Sequence, residues 1–361
     1  MRLIEAADGR LARVRLPGGL IGAAGLRAAF ELAAEFGDGR LELTSRGNLQ
    51  LRGLAAGVEA EIRDRLAAAG LWPSVTHDLV RNVLASPLAG LDAPVDLVPV
   101  VRRLDEVLRA DERLADLSGR FLFAIDDGRG DVAALGADVL AVLGAEHAWV
   151  EGRRLAAHDV VATMIETAHA FLDERARQRS AAWRVDELDD GRRRLRERVG
   201  GDGGAPPIGS RPANPIGLVA QLNGRTALVV APALGRLDGR QADWLAAQLG
   251  GQPARVTPWR SVVLPELTDA EATRAQAEDL GFATSADAPS FGVTACAGQP
   301  RCAQALADVQ SDALASLGRW PGRSVHWSAC ARRCGRPRDV EVDVVASETG
   351  YVETGSGIAG G

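Results

Sequence analysis

Four cysteines near the end of this 361-residue chain form two close pairs. Cys296 and Cys302 are separated by five residues, and Cys330 and Cys334 by three. Four thiolates are the ligand set of a 4Fe–4S cluster, and the small residues around these cysteines would let backbone amides approach the cluster sulfides. The pattern therefore predicts one 4Fe–4S cluster.

Three other interpretations of the cysteines remain open at this point. Structural zinc sites usually have two to four residues between paired cysteines, so the five-residue gap disfavours zinc. Two disulfides would need an oxidising compartment, and four unrelated free thiols would rarely fall into two tight pairs. His326, four residues before Cys330, is a further candidate iron ligand.

The basic residues of the chain are all arginines. The sequence contains 42 of them and no lysine, a composition typical of GC-rich coding sequence. The absence of lysine excludes a pyridoxal Schiff base, a Walker A lysine and a lysine general base. Because the guanidinium fork suits carboxylates, the arginines favour a ligand that carries several carboxylates.

Net charge and hydropathy exclude other classes of partner. The net charge is −6, which makes nucleic acid a poor candidate partner. No apolar run is long enough to span a membrane, and the first residues lack the apolar segment of a signal peptide. We therefore expect a cytoplasmic protein that binds neither nucleic acid nor membrane.

Two stretches, residues 10–69 and 216–280, predict the same order of elements: strand, helix, strand, strand, helix. Both contain an apolar residue, a threonine and an arginine before an apolar strand, L-T-S-R-G-N-L-Q-L at 43–51 and V-T-P-W-R-S-V-V-L at 256–264. We interpret them as two α/β half-domains related by pseudo-twofold symmetry. Arg46 and Arg260 are then expected near a shared cleft.

The remaining local signals are weaker. Residues 96–111 and 158–178 predict helices, and residues 200–215 predict a Gly/Pro-rich linker. Thr268 and Glu271 fit a capping box at the start of a helix. The Gly-rich residues 349–361 predict a frayed tail.

Taken together, the cysteine spacing and two arginine segments resemble the sulfite/nitrite reductase superfamily over nearly the whole chain. The segments are T-S-R-G-N-L-Q-L-R-G at 44–53 and R-N-V-L-A-S-P-L-A-G-L-D at 81–92. The resemblance implies an α+β fold with two ferredoxin-like half-domains and two α/β nitrite/sulfite reductase-type domains. The half-domains are expected at residues 1–72 and 200–283, the second including the linker. The α/β domains are expected at 73–199 and 284–361, the latter holding the cluster.

The resemblance also assigns roles to individual residues. In the superfamily, the two arginine segments bind the carboxylates of sirohaem, and the last cysteine bridges the cluster to the haem iron. Arg46, Arg81 and Cys334 match these positions. Asn48, Arg52 and Arg260 are expected as further ligands of tetrapyrrole carboxylates.

The stretch L-S-G-R-F-L at 117–122 departs from the reductase pattern. The reductases handle their small anionic substrate with two closely spaced lysines. Here Arg120 stands at one of these positions and is expected to be catalytic, whereas Leu122 stands at the other. The departure disfavours reduction of sulfite or nitrite.

Within the superfamily, the segments around Arg46, Arg260 and Cys330 resemble the precorrin-3B synthase family of aerobic cobalamin biosynthesis. Its members are monooxygenases that hydroxylate precorrin-3A at C20 and close a γ-lactone. The resemblance implies a tetrapyrrole substrate, O2, a 4Fe–4S cluster and an electron-donor protein or reductase that draws on NADH. It leaves open a non-haem iron. The alternatives are a sirohaem-dependent assimilatory sulfite or nitrite reductase and, less favoured by the paired half-domains, a non-enzymatic electron carrier.

Overall fold

The computed structural model describes residues 3–202, 204, 206, 208–209, 214–337 and 340–355. Several residues of the predicted linker (203, 205, 207 and 210–213) lie outside the described residues, as do residues 356–361 of the predicted tail. The preceding part of that tail, Gly350–Gly355, forms a strand instead of a frayed end, because it pairs with a buried neighbour. Within the described part of the chain, no helix is long and apolar enough to cross a membrane.

The first unit folds as the predicted strand, helix, strand, strand, helix, with one additional short strand at each of two positions. Its first helix buries an apolar stripe that includes Leu26, Ala29 and Leu32 against the sheet, as expected for an amphipathic helix. The elements are β1 (Ile4–Ala6), β2 (Gly9–Val14), β3 (Leu20–Ile21), α1 (Ala23–Phe36), β4 (Leu41–Leu43), β5 (Leu49–Leu54) and α2 (Glu59–Ala68).

The second unit is an α/β domain around its own core. Its sheet has the order β10–β9–β8–β7–β6, in which β6, β7 and β8 are parallel. The elements are β6 (Val83–Ala85), α3 (Val98–Ala110), β7 (Phe123–Asp126), β8 (Val139–Leu143), β9 (Ala148–Val150), β10 (Arg153–Leu155), α4 (Val160–Arg177) and α5 (Gly191–Arg198). Helices α3 and α4 correspond to the predicted helices at 96–111 and 158–178.

The third unit repeats the element order of the first. Its elements are β11 (Gly217–Ala220), β12 (Thr226–Val230), β13 (Arg236–Leu237), α6 (Gly239–Gln248), β14 (Ala254–Val256), β15 (Val262–Leu267) and α7 (Ala270–Asp279). The capping box predicted at Thr268 and Glu271 is wrong. Asp269 caps α7 instead, since its carboxylate accepts the Ala272 N–H at 3.0 Å.

The first and third units exchange their short strands. The two sheets have the orders β1–β2–β5–β4–β13 and β11–β12–β15–β14–β3. Strand β3 therefore completes the sheet of the third unit, and β13 completes that of the first. One hydrophobic core joins both units, as Leu32 and Leu49 share it with Leu245 and Leu264. The exchange and the shared core produce the pseudo-twofold pair of half-domains.

The fourth unit is a small α/β domain with the strand order β16–β17–β18–β19. Strands β16, β17 and β18 are parallel, and β19 is antiparallel to β18. The elements are β16 (Val293–Ala295), α8 (Val309–Ala315), β17 (Val325–Ser328), β18 (Val342–Ser347) and β19 (Gly350–Gly355). All four cysteines belong to this unit.

Candidate functional site

The cysteine pairs begin where two neighbouring strands end. Cys296 directly follows β16, and Cys330 comes two residues after the end of β17. The two strands are parallel and adjacent, so their carboxyl ends meet at one edge of the sheet. The Cys296 N–H donates to the carbonyl of Trp327 at 2.9 Å, which fixes the start of the first cysteine loop against the second strand.

All four thiols are free. Cys296, Cys302 and Cys330 are half-buried, and Cys334 is exposed. Burial raises the pKa of Cys296, and the nearby Cys334 and Cys330 raise it further, whereas backbone N–H groups of Ala329 and Gly298 lower it. The Ala329 N–H lies 3.2 Å from the Cys296 sulfur. The Cys296 sulfur thus lies near other thiols and receives backbone N–H groups, a setting that suits a thiolate ligand of a metal centre.

The spacing of the thiols does not match a single tetrahedral ion. A zinc–sulfur distance of about 2.3 Å would bring the sulfurs within about 4 Å of one another. Among the described residues, Asp126, Asp127 and Asp131 are the one set of three or more metal-ligating side chains whose ligand atoms lie within 4.8 Å of one another. No three of the cysteine sulfurs meet this limit, so their positions are not those of a zinc site.

The three aspartates lie in a turn around the side chain of Arg129. The Arg129 guanidinium lies 2.6 Å from Asp127 and 3.8 Å from Asp131. Asp126 accepts four backbone N–H groups of the same turn. The cation and these donors use the carboxylates that a metal would need, so the triplet gives no support to a non-haem iron at this position.

The first cysteine loop is fastened to the half-domains by a chain of hydrogen bonds. Gln310 donates to the Cys296 carbonyl at 3.1 Å and accepts from Arg236 at 2.9 Å and from Arg301. Arg52 donates to the Arg301 carbonyl at 3.2 Å. Arg52 also forms a buried two-point ion pair with Asp8, at 3.0 and 3.2 Å. Arg52, predicted to bind substrate carboxylates, is thus engaged in holding the cysteine loop.

Arg46 lies in the tight loop between β4 and β5 without a carboxylate partner among the described residues. The Thr44 hydroxyl accepts the Asn48 N–H at 3.1 Å and shapes this loop. The Arg46 guanidinium donates to the carbonyls of Gly119 and Arg120, both at 3.3 Å. Burial lowers the pKa of Arg46, and the neighbouring Arg184 lowers it further. This cation is therefore positioned by neutral carbonyl groups and not by a carboxylate of the described residues.

Asn48 is buried beside this loop. Its side-chain oxygen accepts the Leu16 N–H at 2.8 Å, which fixes the orientation of the amide. Its side-chain nitrogen is buried and has no hydrogen-bond partner in the described part of the chain. A buried donor without a partner costs about 1–3 kcal/mol, so a ligand oxygen reaching this nitrogen would be stabilised.

Two further arginines, Arg13 and Arg15, were missed by the sequence analysis. Together with Arg46 they form what we call the arginine surface. Arg13 and Arg15 lie two residues apart along and just beyond β2 and therefore point to the same side of the sheet. Burial lowers the pKa of Arg15 to about 10, with Arg13 and Arg46 contributing. Neither arginine has a carboxylate partner within ion-pair distance among the described residues. The R-V-R sequence within a predicted strand is the signal that could have identified them.

Arg81 has its own carboxylate, unlike Arg46. Its guanidinium contacts Asp105 of α3 at 2.5 and 3.1 Å, and the pair is largely buried. A surface cavity of about 370 Å³ next to this pair is lined by residues such as Gly22 and Pro253. In this arrangement, Arg81 connects α3 to the β6 region, and its predicted role in carboxylate binding would require Asp105 to be displaced.

Arg120 is exposed at the rim of the arginine surface. Its guanidinium carbon lies 5.1 Å from the ring centre of Trp183, a cation–π contact. About half of the Trp183 side chain is exposed. The Arg120 carbonyl accepts a hydrogen bond from Arg46, so the predicted catalytic residue and the predicted carboxylate ligand are neighbours.

Asp138 holds the two segments that form this rim. Its two carboxylate oxygens accept the backbone N–H groups of Leu122 and Val185, each at 2.8 Å. The Arg184 Nε lies 2.5 Å from the same carboxylate. Asp138 is fully buried, and it therefore fixes the segments carrying Arg120 and Trp183 relative to each other.

Leu122 is buried in a small apolar cluster. The cluster includes Leu84 and Ala124, and the half-buried Trp259 packs against it. Trp259 comes from the loop between β14 and β15, which is the counterpart of the Arg46 loop in the other half-domain. The structure thus places hydrocarbon, and not a second cation, two residues after Arg120.

Arg260 approaches the cluster unit from the β14–β15 loop. One of its terminal nitrogens lies 3.9 Å from the point that a Cβ on Gly335 would occupy, next to Cys334. His326 lies on the adjacent strand β17, fully buried, with its Nδ1 2.8 Å from the Thr294 hydroxyl. Burial and, to a smaller extent, the nearby Arg260 lower the pKa of His326 to about 4.

The sequence of this chain is similar to those of known proteins. Residues 4–69 match the model of the nitrite/sulfite reductase ferredoxin-like half domain. The chain is 28% identical to a ferredoxin–nitrite reductase from Synechococcus elongatus, over 94% of this chain and 76% of the relative. It is also 28% identical to a precorrin-3B synthase from Sinorhizobium sp, over 99% of this chain and 82% of the relative.

A solved structure agrees with the fold. The structure of the Mycobacterium tuberculosis NirA protein superposes with a TM-score of 0.77 at 23% identity, covering 95% of this chain and 73% of NirA. Its likeness supports the α+β architecture with paired half-domains. The half-domain match and the relatives make the chain similar to nitrite and sulfite reductases and to a precorrin-3B synthase, and the solved structure shows that it shares their fold.

Proposed function

We propose that this oxidoreductase is a precorrin-3B synthase-like monooxygenase that hydroxylates precorrin-3A at C20 and allows a γ-lactone to close. The observation that carries the proposal is the apolar surroundings of Leu122. Its superfamily counterpart in the reductases is a lysine that serves a small anion. In this chain the position is buried beside Leu84 and Trp259, and the sequence offers no lysine to replace it.

The arginine surface supplies the proposed binding site. Arg13, Arg15 and Arg46 carry positive charge that no carboxylate of the described residues neutralises within ion-pair distance. A precorrin carries a fringe of acetate and propionate groups that would relieve the repulsion among these cations. Each charge-assisted hydrogen bond contributes about 1.5–3 kcal/mol, so three of them can anchor the ring even after the cost of ordering it.

The four cysteines would hold a 4Fe–4S cluster, which supplies one-electron transfer when bound. The chain's own residues would do the rest by positioning. Arg46 and Asn48 orient one edge of the ring, and Leu122 with Trp259 keeps water and proton donors away from part of the cleft. A carboxylate of the substrate itself closes the lactone, so the mechanism needs no protein nucleophile. Ferredoxin in the names of the nitrite and sulfite reductase relatives supports a protein electron donor.

The test begins with protein purified without oxygen and assayed for iron, sulfide and extractable haem. Precorrin-3A, a reductant and 18O2 are then added, and the product is analysed by mass spectrometry. We expect a cluster, no sirohaem, and one 18O atom in a lactone product. Extractable sirohaem together with turnover of sulfite or nitrite would refute the proposal in favour of the reductase alternative. The Cys330→Ser variant is the matched control without cluster.

A further inference from the structure

The equivalent loops of the two half-domains differ at two key positions. In each loop a threonine N–H donates to the carbonyl four residues later at 2.9 Å, from Thr44 to Asn48 and from Thr257 to Ser261. Matching the threonines pairs Arg46 with Trp259, and it pairs Gly47 with Arg260. The second loop therefore carries its cation one residue later than the first.

Arg260 occupies a backbone conformation suited to glycine. Its φ is 61°, the same value as that of Gly47 in the first loop. An L-residue in this left-handed region costs roughly 1–2 kcal/mol. Gly235 makes room for the side chain, because a Cβ there would lie 2.7 Å from Arg260 Cδ. With this positive φ and the space beside Gly235, the Arg260 guanidinium points toward the fourth unit, which contains the cysteines.

No carboxylate of the described residues lies within ion-pair distance of the Arg260 guanidinium. No ion pair involves it among the described residues, and burial lowers its pKa, with Glu42 opposing at longer range. Two arginines of the second cysteine loop differ in this respect, since Arg333 and Arg336 both pair with Asp343, at 3.0 and 2.9 Å. Arg260 is thus a half-buried, uncompensated cation whose terminal nitrogen lies beside the Cys334–Gly335 segment.

We propose that Arg260 sets the reduction potential of the iron–sulfur cluster and is not a ligand of the tetrapyrrole carboxylates. The inference rests on the cluster of the proposed function but not on the identity of the substrate. Reduction adds one electron to a centre that four thiolates already make anionic. A nearby fixed cation stabilises the reduced form more than the oxidised form, so it raises the potential.

The experiment compares reconstituted wild type with Arg260→Gly, Arg260→Lys and Arg240→Gln. Glycine suits the left-handed backbone, lysine keeps the charge, and Arg240 is an exposed helical arginine far along the chain from the cysteines. Iron and sulfide are quantified first, and the midpoint potential is then measured by redox titration followed by electron paramagnetic resonance. We expect a more negative potential in Arg260→Gly, a value near wild type in Arg260→Lys, and no change in Arg240→Gln.

Affinity for uroporphyrin, a polycarboxylate ring, is measured on the same samples. An unchanged potential in Arg260→Gly would overturn the inference, and weaker uroporphyrin binding with that result would return Arg260 to the ring site. Loss of the cluster in both Arg260 variants would overturn it in favour of a structural role. Wild type that cannot hold a cluster would refute this inference and the proposed function together. Wild type that holds a cluster but lacks oxygenase activity would refute only the proposed function.

Discussion

Replacing Asp138 by asparagine tests how the rim of the cleft is held together. The aspartate carboxylate accepts the N–H groups of Leu122 and Val185 and contacts Arg184 at 2.5 Å. Asparagine keeps one oxygen and turns an NH2 group toward a donor, so one buried N–H loses its acceptor.

The expected loss of stability follows from these contacts. An unsatisfied buried N–H costs about 1–3 kcal/mol. The Arg184 side chain is 21% exposed, so water compensates in part for its lost partner, and that contribution is at most about 1 kcal/mol. Asp138→Asn should therefore destabilise the chain by about 1–4 kcal/mol.

The assay is urea unfolding of the full chain, with uroporphyrin binding measured under native conditions. Asp190→Asn is the control, since Asp190 is an exposed partner of Arg193 at 2.8 Å and its neutralisation should leave the midpoint unchanged. The variant should unfold at lower urea and bind the ring more weakly, because Arg120 and Arg46 lose a fixed support. Equal midpoints for wild type and Asp138→Asn would refute the reasoning.

Four further outcomes are expected. Cys330→Ser should lose the iron and sulfide of the cluster while keeping its circular dichroism spectrum, and a full complement of iron would contradict the assignment. Arg46→Ala should weaken uroporphyrin binding roughly 10- to 100-fold with cluster content unchanged; simultaneous loss of the cluster would mean that Arg46 is structural. Burial raises the pKa of Asp131 to about 7 from an ordinary value of 3.8, so its contribution to stability is fully present below pH 3.8 and is lost as the pH rises to about 7. Asp131→Asn should flatten that fall in the urea midpoint, and an unchanged slope would argue against the raised pKa. Gly235→Ala should destabilise the chain, because the new Cβ would lie 2.7 Å from Arg260 Cδ, and Arg260→Gly in the same chain should restore part of the loss; no restoration would mean that the strain lies elsewhere.

The half-domain repeat could be predicted from the sequence because it depends on local signals, and the assignment of the four cysteines as cluster ligands stays a prediction that rests on their spacing. Apolar periodicity marks the helices and strands, and the spacing of cysteines is visible directly. The similar residue order in the two loops, however, suggested a wrong alignment of Arg46 with Arg260. Arg46 and Arg260 look equivalent as letters before an apolar strand, yet the loop hydrogen bonds pair Arg46 with Trp259.

Roles that depend on long-range partners could not be predicted in this way. Arg81 and Arg52 sit in the segments that resemble ring-binding motifs, but Asp105 and Asp8 lie next to them in space. Arg15 carries no motif, yet burial among other cations makes it a stronger candidate ligand than Arg81. The two-residue strands β3 and β13 are also too short to leave a periodic signal.

The exchange of β3 and β13 makes each half-domain incomplete without the other. A single half alone would leave β4 or β14 as an open sheet edge, with backbone groups that seek another strand. Two identical copies of an ancestral half could satisfy each other by the same exchange, as in a domain-swapped homodimer. The present chain has the arrangement of such a dimer with its two halves covalently linked. The linkage frees the two copies of each loop to diverge, which allows one to present an arginine where the other presents a tryptophan.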